Sequence, residues 1–453
     1  MTGGTLYNTA NAERFFTGVA IDSRTIRPGE LFVAIRGSNV DGHTFIGQAI
    51  ERGASGIVSE FTYTGIEQIR GDIAVIAVEN SHTAMISLAA QYRQASAAKF
   101  IGITGSNGKT TTKEFLFQML AKFEPDTYRS PGNLNNLFGT PLSLFSMPQK
   151  TRLAIMELGI SIAGEMARLS RIVRPDLVVI TNVGATHLEH LGSLNGVARE
   201  KLQLAIQTEN KTQVVINGDD QILMAETPRV TGNFVTFGTG RSATFHPDSV
   251  IQDNAGVTVV TIEGHRFRLK LFGKHQVYNL LAAYAACRIL SYDFANIDTE
   301  VIEFDSAPMR GQTLIREGIS FIADCYNANP ESVRSGLSSL SDMPVTGRRV
   351  VVLGDMLELG VQEKEFHREI GRLLGRQAAD KILLVGPLSR YTEEAALSAG
   401  VMRSALEHFE NSRMAAEFLL GFLHSGDFVF VKGSRGIRLE AILDRWDEKG
   451  RVA

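Results

Sequence analysis

The segment GITGSNGKTTTKEF (102–115) constrains this chain more than any other. An apolar run enters a glycine-rich turn, and a helix-forming stretch starts near Lys109. Glycine lets backbone N–H groups approach phosphate oxygens, and a helix N-terminus adds partial positive charge at the same place. Lys109 offers a point charge for terminal phosphates and Thr110 a hydroxyl for Mg2+. The common string G-x-x-x-x-G-K-[ST] is not met, because that register needs glycine where Ile103 stands. The string present is the shorter G-x-x-G-K-T, carried by Gly105, Gly108, Lys109 and Thr110. A solvated turn capping a helix could look similar; the strand-turn-helix setting favours the phosphate loop.

From Phe100 onward, short β-branched runs alternate with helical stretches: 100–105, 153–159, 177–184 and 214–218, then 320–326, 349–355, 381–386 and 428–433. Such alternation predicts parallel sheets covered by helices on both faces. The stretch 243–273 breaks it with turn residues and alternation, and reads as an antiparallel hairpin insertion. Before residue 97 the chain reads as a small mixed domain, with a strand at 31–35 and, within 41–59, a helix presenting Phe45, Ile46, Ala49 and Ile50 on one face. At about 150 residues per domain, 453 residues suit three domains. We divide them at 1–97, 98–309 and 310–453, an α/β chain with a central parallel-sheet phosphate-loop domain between a small mixed α/β domain and a Rossmann-like α/β domain.

A formal net charge of -3 supplies no field for nucleic acid or membrane. No apolar run reaches the 18 or so residues of a membrane span, and the first residues lack a basic stretch followed by an apolar one. Two cysteines, Cys287 and Cys325, form no metal-binding cluster and suit a reducing compartment. The expectation is a cytoplasmic, monomeric protein.

In open parallel sheets, ligands sit beyond the carboxyl ends of the strands. Glu157 ends the run LAIME, where a carboxylate can hold a hard cation such as Mg2+. His187 follows LVVITN in the loop GATHLEH, and a lone histidine there is more often structural than catalytic. From spacing alone, Lys201 in GVAREKLQLAIQ reads as a solvated helix tether, and Asp219 and Asp220 as turn residues.

TGSNGKTTTKE (104–114), NLNNLFGTPLSL (133–144), MELGISIAGE (156–165), TNVGATHLEHLGS (181–193) and AREKLQL (198–204) together resemble the central domain of the Mur ligase family. DSRTIRPGELFVAIRG (22–37) resembles the family's UDP-binding N-terminal domain. DCYNANPESV (324–333), LGDMLELG (353–360) and VKGSRGIRLE (431–440) resemble the C-terminal domain of members that add D-alanyl-D-alanine.

The resemblance implies an ATP- and Mg2+-dependent ligase joining D-alanyl-D-alanine to UDP-N-acetylmuramoyl-tripeptide through an acyl phosphate, with no covalent enzyme intermediate. It implies that Gly105, Ser106, Asn107, Gly108, Lys109, Thr110 and Thr111 bind ATP, with Asn279, Arg310 and Asp324 at adenine, phosphate and ribose. Asn133, Asn135 and Asn136 would lie near the nucleotide. Thr110 and Glu157 would hold one Mg2+; His187 would serve a second, with Lys201 as a possible carbamate, which reverses the tether reading. Lys109, Glu157, His187 and Lys201 thus form the expected catalytic set. Ser23 and Arg24 would face the UDP end, and Asp355, Lys432, Ser434 and Arg435 the incoming dipeptide.

Overall fold

The run Lys99–Thr104 is buried at every residue after the first, as a strand covered on both faces must be. It lies at the centre of a six-stranded sheet ordered Phe234–Phe237, Gln213–Asn217, Leu177–Ile180, Lys99–Thr104, Leu153–Glu157 and Thr127–Arg129. All neighbours in it are parallel. Ile103 is in register with Glu157 and Thr104 with Ile180, so three strands end together beside the glycine turn. The helix Lys109–Leu120 leaves that turn and packs on Gln276–Ile289, whose alanine-rich sequence is buried almost all round.

The computed structural model describes residues 3–7, 13–66, 69, 71–208, 212–230, 234–252, 257–296, 301–305, 307–341, 343 and 345–452. The N-terminal sheet has five strands, ordered Thr5–Leu6, Ala74–Val78, Gly56–Glu60, Leu31–Val33 and Val19–Ala20, antiparallel only at the first pair. The C-terminal sheet runs Gln312–Arg316, Ile319–Asp324, Phe428–Lys432, Arg349–Gly354, Lys381–Val385 and Leu406–Phe409, again antiparallel only at its first pair. Among the described residues no helix is long and apolar enough to cross a membrane.

The insertion forms Ser249–Gln252, Thr258–Ile262 and His265–Leu269 in antiparallel order. The expected stretch includes 253–256, which lie outside the described residues. Its last strand also pairs in parallel with Val301–Phe304, a partner that no local pattern announces. The helix near residue 46 differs from expectation at its start. Asp41 caps a 3-10 turn at Gly42–Phe45 before the α-helix Ile46–Glu51, and the tighter winding leaves Phe45 39% exposed, not on the buried face.

Candidate active site

Two close approaches fix the glycine turn. A Cβ on Gly105 would stand 1.8 Å from Oγ1 of Thr181, and one on Gly108 (φ +80) would stand 2.0 Å from Oδ1 of Asn279. No larger residue fits either position without displacing its neighbour. The Ser106 and Asn107 N–H groups donate to Asn182, at its carbonyl (2.9 Å) and Oδ1 (2.8 Å). They brace the turn, so a phosphate would meet chiefly the first-turn N–H groups of Lys109, Thr110 and Thr111, which have no intrahelical acceptor. The Lys109 ammonium folds back on the carbonyls of Gly105 (2.7 Å) and Ser106 (3.2 Å). Burial lowers its pKa to about 8, with Arg310 adding to the shift and Glu157 opposing it.

Thr110 donates its hydroxyl to Oε2 of Glu157 at 2.7 Å, and Asn135 donates to the other oxygen at 2.9 Å. Burial pushes the Glu157 carboxyl up, but Lys113, Lys109, Arg310 and the Thr110 hydroxyl together hold it below its ordinary value. It is therefore an anion at neutral pH. One hydroxyl and one carboxylate at a single point form a hard donor pair suited to Mg2+, which keeps positions for water and phosphate.

The fully buried Lys113 ammonium lies 3.3 Å from Glu157 and donates to the carbonyls of Ser130 and Gly132, each at 3.0 Å. Sequence reasoning passed over it. Its position three residues after Thr110, hence on the same helix face, was the available signal.

His187 sits in the left-handed region (φ 54), and burial first, then Lys201 and Lys109, lower its ring pKa to about 4. Lys201, in the helix Leu194–Ile206, is 2% exposed. The solvated-tether reading from spacing was wrong, because this face of the helix turns inward beside the strand ends. Burial and the Lys109 charge push its pKa well below the ordinary lysine range. An uncharged amine of this kind can add CO2 and become an anionic carbamate. Asp220 accepts the Val183 N–H at 2.6 Å and caps Gln221–Glu226, while Asp219 accepts from the Thr239 N–H at 2.7 Å and the Tyr278 hydroxyl at 2.9 Å. Both hold loops at the rim.

Gly105, Gly108, Lys109, Thr110, Asn135, Glu157, His187, Lys201, Asp219 and Asp220 line one cavity of about 1560 Å3, whose other wall belongs to the C-terminal sheet. Asn133, Asn136, Asn279, Arg310, Asp324, Lys432, Ser434 and Arg435 line it too. The Arg310 guanidinium stacks 3.8 Å above the Tyr326 ring. Lys432 is bound to Asp324 at 2.7 Å, Ser434 accepts the Leu357 N–H at 3.0 Å, and Arg435 pairs with Glu440 at 3.2 Å.

Three expected site residues lie outside the lining of this cavity, two of them the residues expected at the UDP end. Asp355 accepts the N–H groups of Leu388 (3.1 Å) and Ser389 (2.7 Å) at the start of the helix Ser389–Ser398, away from the cavity. Ser23 donates to Gln48 at 2.6 Å and Arg24 pairs with Asp22 at 2.7 Å, both on the N-terminal sheet's domain and outside the cavity lining.

The C-terminal side also reaches onto the loops of the central sheet. Asn329 donates to Oδ1 of Asn107 at 2.7 Å, Asn107 donates to Glu331 at 3.4 Å, and Glu358 lies 2.8 Å from His187. These three residues fall within motifs quoted above, yet no sequence signal pairs them with the glycine turn.

The family model described as Mur ligase middle domain matches residues 103–287. Mur ligase, glutamate ligase domain, matches 309–435, and Mur ligase family, catalytic domain, matches 15–93. The UDP-N-acetylmuramoyl-tripeptide--D-alanyl-D-alanine ligase of Bacillus subtilis is 32% identical over 98% of this chain and 96% of its own length. That of Treponema pallidum is 33% identical over 96% of this chain and 94% of its own. The crystal structure of MurF ligase from Thermotoga maritima in complex with ADP superposes with a TM-score of 0.82 at 27% identity, covering 96% of this chain and 98% of that one. With a glycine turn, a buried carboxylate and a desolvated lysine meeting at the strand ends, and with full-length relatives of this kind, the chain belongs to the Mur ligase family.

Proposed function

We infer that this protein uses ATP to join D-alanyl-D-alanine to UDP-N-acetylmuramoyl-tripeptide, acting in the cytoplasm on peptidoglycan precursors. The observation that carries the reading is the convergence of Lys109, Thr110, Glu157, His187 and Lys201 on a cavity whose far wall holds Arg310, Asp324 and Lys432. Relatives of near-full length that bear this activity in their names support it.

A free carboxylate does not acylate an amine at neutral pH, because its oxygen leaves poorly. The tripeptide carboxylate attacks the γ-phosphorus of ATP, the bond to the β-phosphate oxygen breaks, and ADP departs. Lys109, the helix N-terminus and Arg310 place and neutralise the phosphates, which is most of what phosphoryl transfer requires of a protein. The dipeptide ammonium gives up a proton to solvent, its nitrogen attacks the acyl carbon, and the tetrahedral intermediate passes its second N–H proton to the departing phosphate to leave the amide. Thr110 and Glu157 would hold one Mg2+, and His187 with a carbamate on Lys201 a second; the ions would screen the phosphate charge and the developing oxyanion. Closure of the C-terminal side over the cavity shields the acyl phosphate from water.

In this reading residues 1–97 bind the UDP end through Ser23 and Arg24, 98–309 bind ATP, and 310–453 present the dipeptide through Lys432, Ser434 and Arg435. Mass spectrometry after incubation with UDP-N-acetylmuramoyl-tripeptide, ATP and either D-alanyl-D-alanine or single amino acids tests it. A pentapeptide product with free phosphate is expected only with the dipeptide. A product with single amino acids alone, or a stable phosphorylated product without free phosphate, would replace this reading with a sibling ligase or a kinase.

A further inference from the structure

Glu157 is one carboxylate among three cations. Lys113 lies 3.3 Å away, and Lys109 and Arg310 line the same cavity as Glu157. Glu114, 3.9 Å from Lys113, is itself engaged by Arg129 at 3.1 Å. Among the described residues no group of three or more histidine, cysteine or acidic side chains could hold a metal. Immediately around Glu157 the cations therefore outnumber the acids, although the Thr110 hydroxyl and the Glu157 carboxylate suit a divalent cation. Lys113 differs from the other two cations in place. It does not line the cavity, and its carbonyl bonds to Ser130 and Gly132 hold it behind Glu157, where phosphate cannot draw it off.

We propose that Lys113 is a fixed counter-charge that makes divalent-cation binding at Thr110 and Glu157 conditional on the nucleotide. With the site empty, its ammonium repels the cation and satisfies Glu157. Once nucleotide phosphates occupy the turn, their negative charge outweighs Lys113 and the cation is held. The inference rests on the reading of Thr110 and Glu157 as a metal site. A charge at this range changes the proton affinity of a carboxylate by about ten- to a thousandfold, and a divalent cation feels the same field more strongly.

The test is Mn2+ binding to the full chain, followed by electron paramagnetic resonance with and without saturating ADP, on the native protein and on Lys113→Gln, Lys113→Arg and Glu157→Gln. The native protein is expected to bind Mn2+ at least about tenfold more tightly with ADP than without. Lys113→Gln keeps a donor for the two carbonyls, removes the charge, and should tighten ADP-free binding by at least about tenfold. Lys113→Arg should leave it weak. Equal ADP-free affinity in the native protein and a cooperatively melting Lys113→Gln would overturn the proposal. Native binding as tight without ADP as with it would also do so, and that arm stands even where a variant does not fold. Unchanged ADP-dependent binding in Glu157→Gln would instead remove the metal-site reading, leaving the role of Lys113 without its premise.

Discussion

A carboxylate oxygen of Glu358, on the C-terminal side of the cavity, lies 2.8 Å from Nδ1 of His187 on the central side. A neutral ring that donates from Nδ1 keeps its Nε2 lone pair for a metal. The ring's folded pKa of about 4 lies below its ordinary 6.5, so the unfolded chain binds more protons between those values. Stability from His187 is therefore present above about pH 6.5 and lost as pH falls toward 4. An NMR titration should place the ring's midpoint near 4, and His187→Asn should flatten the stability profile across that window. Because Glu358 is 69% exposed, Glu358→Ala should fold normally yet lose about 10–100-fold in kcat/KM.

Replacing Gly108 with alanine forces a left-handed backbone, at about 1–2 kcal/mol, and sets a methyl carbon 2.0 Å from Asn279. Calorimetry should show ADP affinity down by at least about a hundredfold, the scale of a 1 Å misplacement. Native-like ADP binding by this variant would mean that the turn is not the phosphate cradle.

Lys109→Ala and Glu157→Ala should both abolish ATP-dependent phosphate release, but they should not be equally stable. Lys109 donates to carbonyls of its own turn, and its removal relieves a buried charge. Glu157→Ala strands the Lys113 ammonium in the core, a loss of about 3–5 kcal/mol for a broken buried pair. Urea denaturation should separate the two variants by that margin.

Asp355→Asn should lower the melting temperature while leaving the KM for the dipeptide within about twofold. Its carboxylate holds the start of a helix that does not face the cavity. A large rise in that KM with no loss of stability would return Asp355 to the dipeptide site.

Buried parallel strands were legible because their sequence is nearly all apolar: Leu153–Glu157 and Phe428–Lys432 stand where the pattern put them. Edge strands such as Thr127–Arg129 and Leu406–Phe409 are short and half-exposed, so their composition resembles that of loops. The glycine turn was legible for a local reason, since its glycines, lysine and threonine stand next to each other in the sequence, although Thr181, Asn182 and Asn279 brace it from afar. Lys201 was not, because burial of a helix face depends on what packs there. Asp355, placed on the dipeptide side by resemblance, accepts from the start of a helix more than 30 residues on, a partner that no local pattern announces. Lys113 joins Glu157 across 44 positions through a fold that no short window contains.

The bonds between Asn107 and both Asn329 and Glu331, and between His187 and Glu358, mean that the two halves of the cavity recognise each other directly. Exchanging the last third of the chain for that of a sibling with another amine preference would transplant specificity only if these docking residues travelled with a matching glycine turn. Chimeras that ignore this match would carry two intact modules that fail to meet.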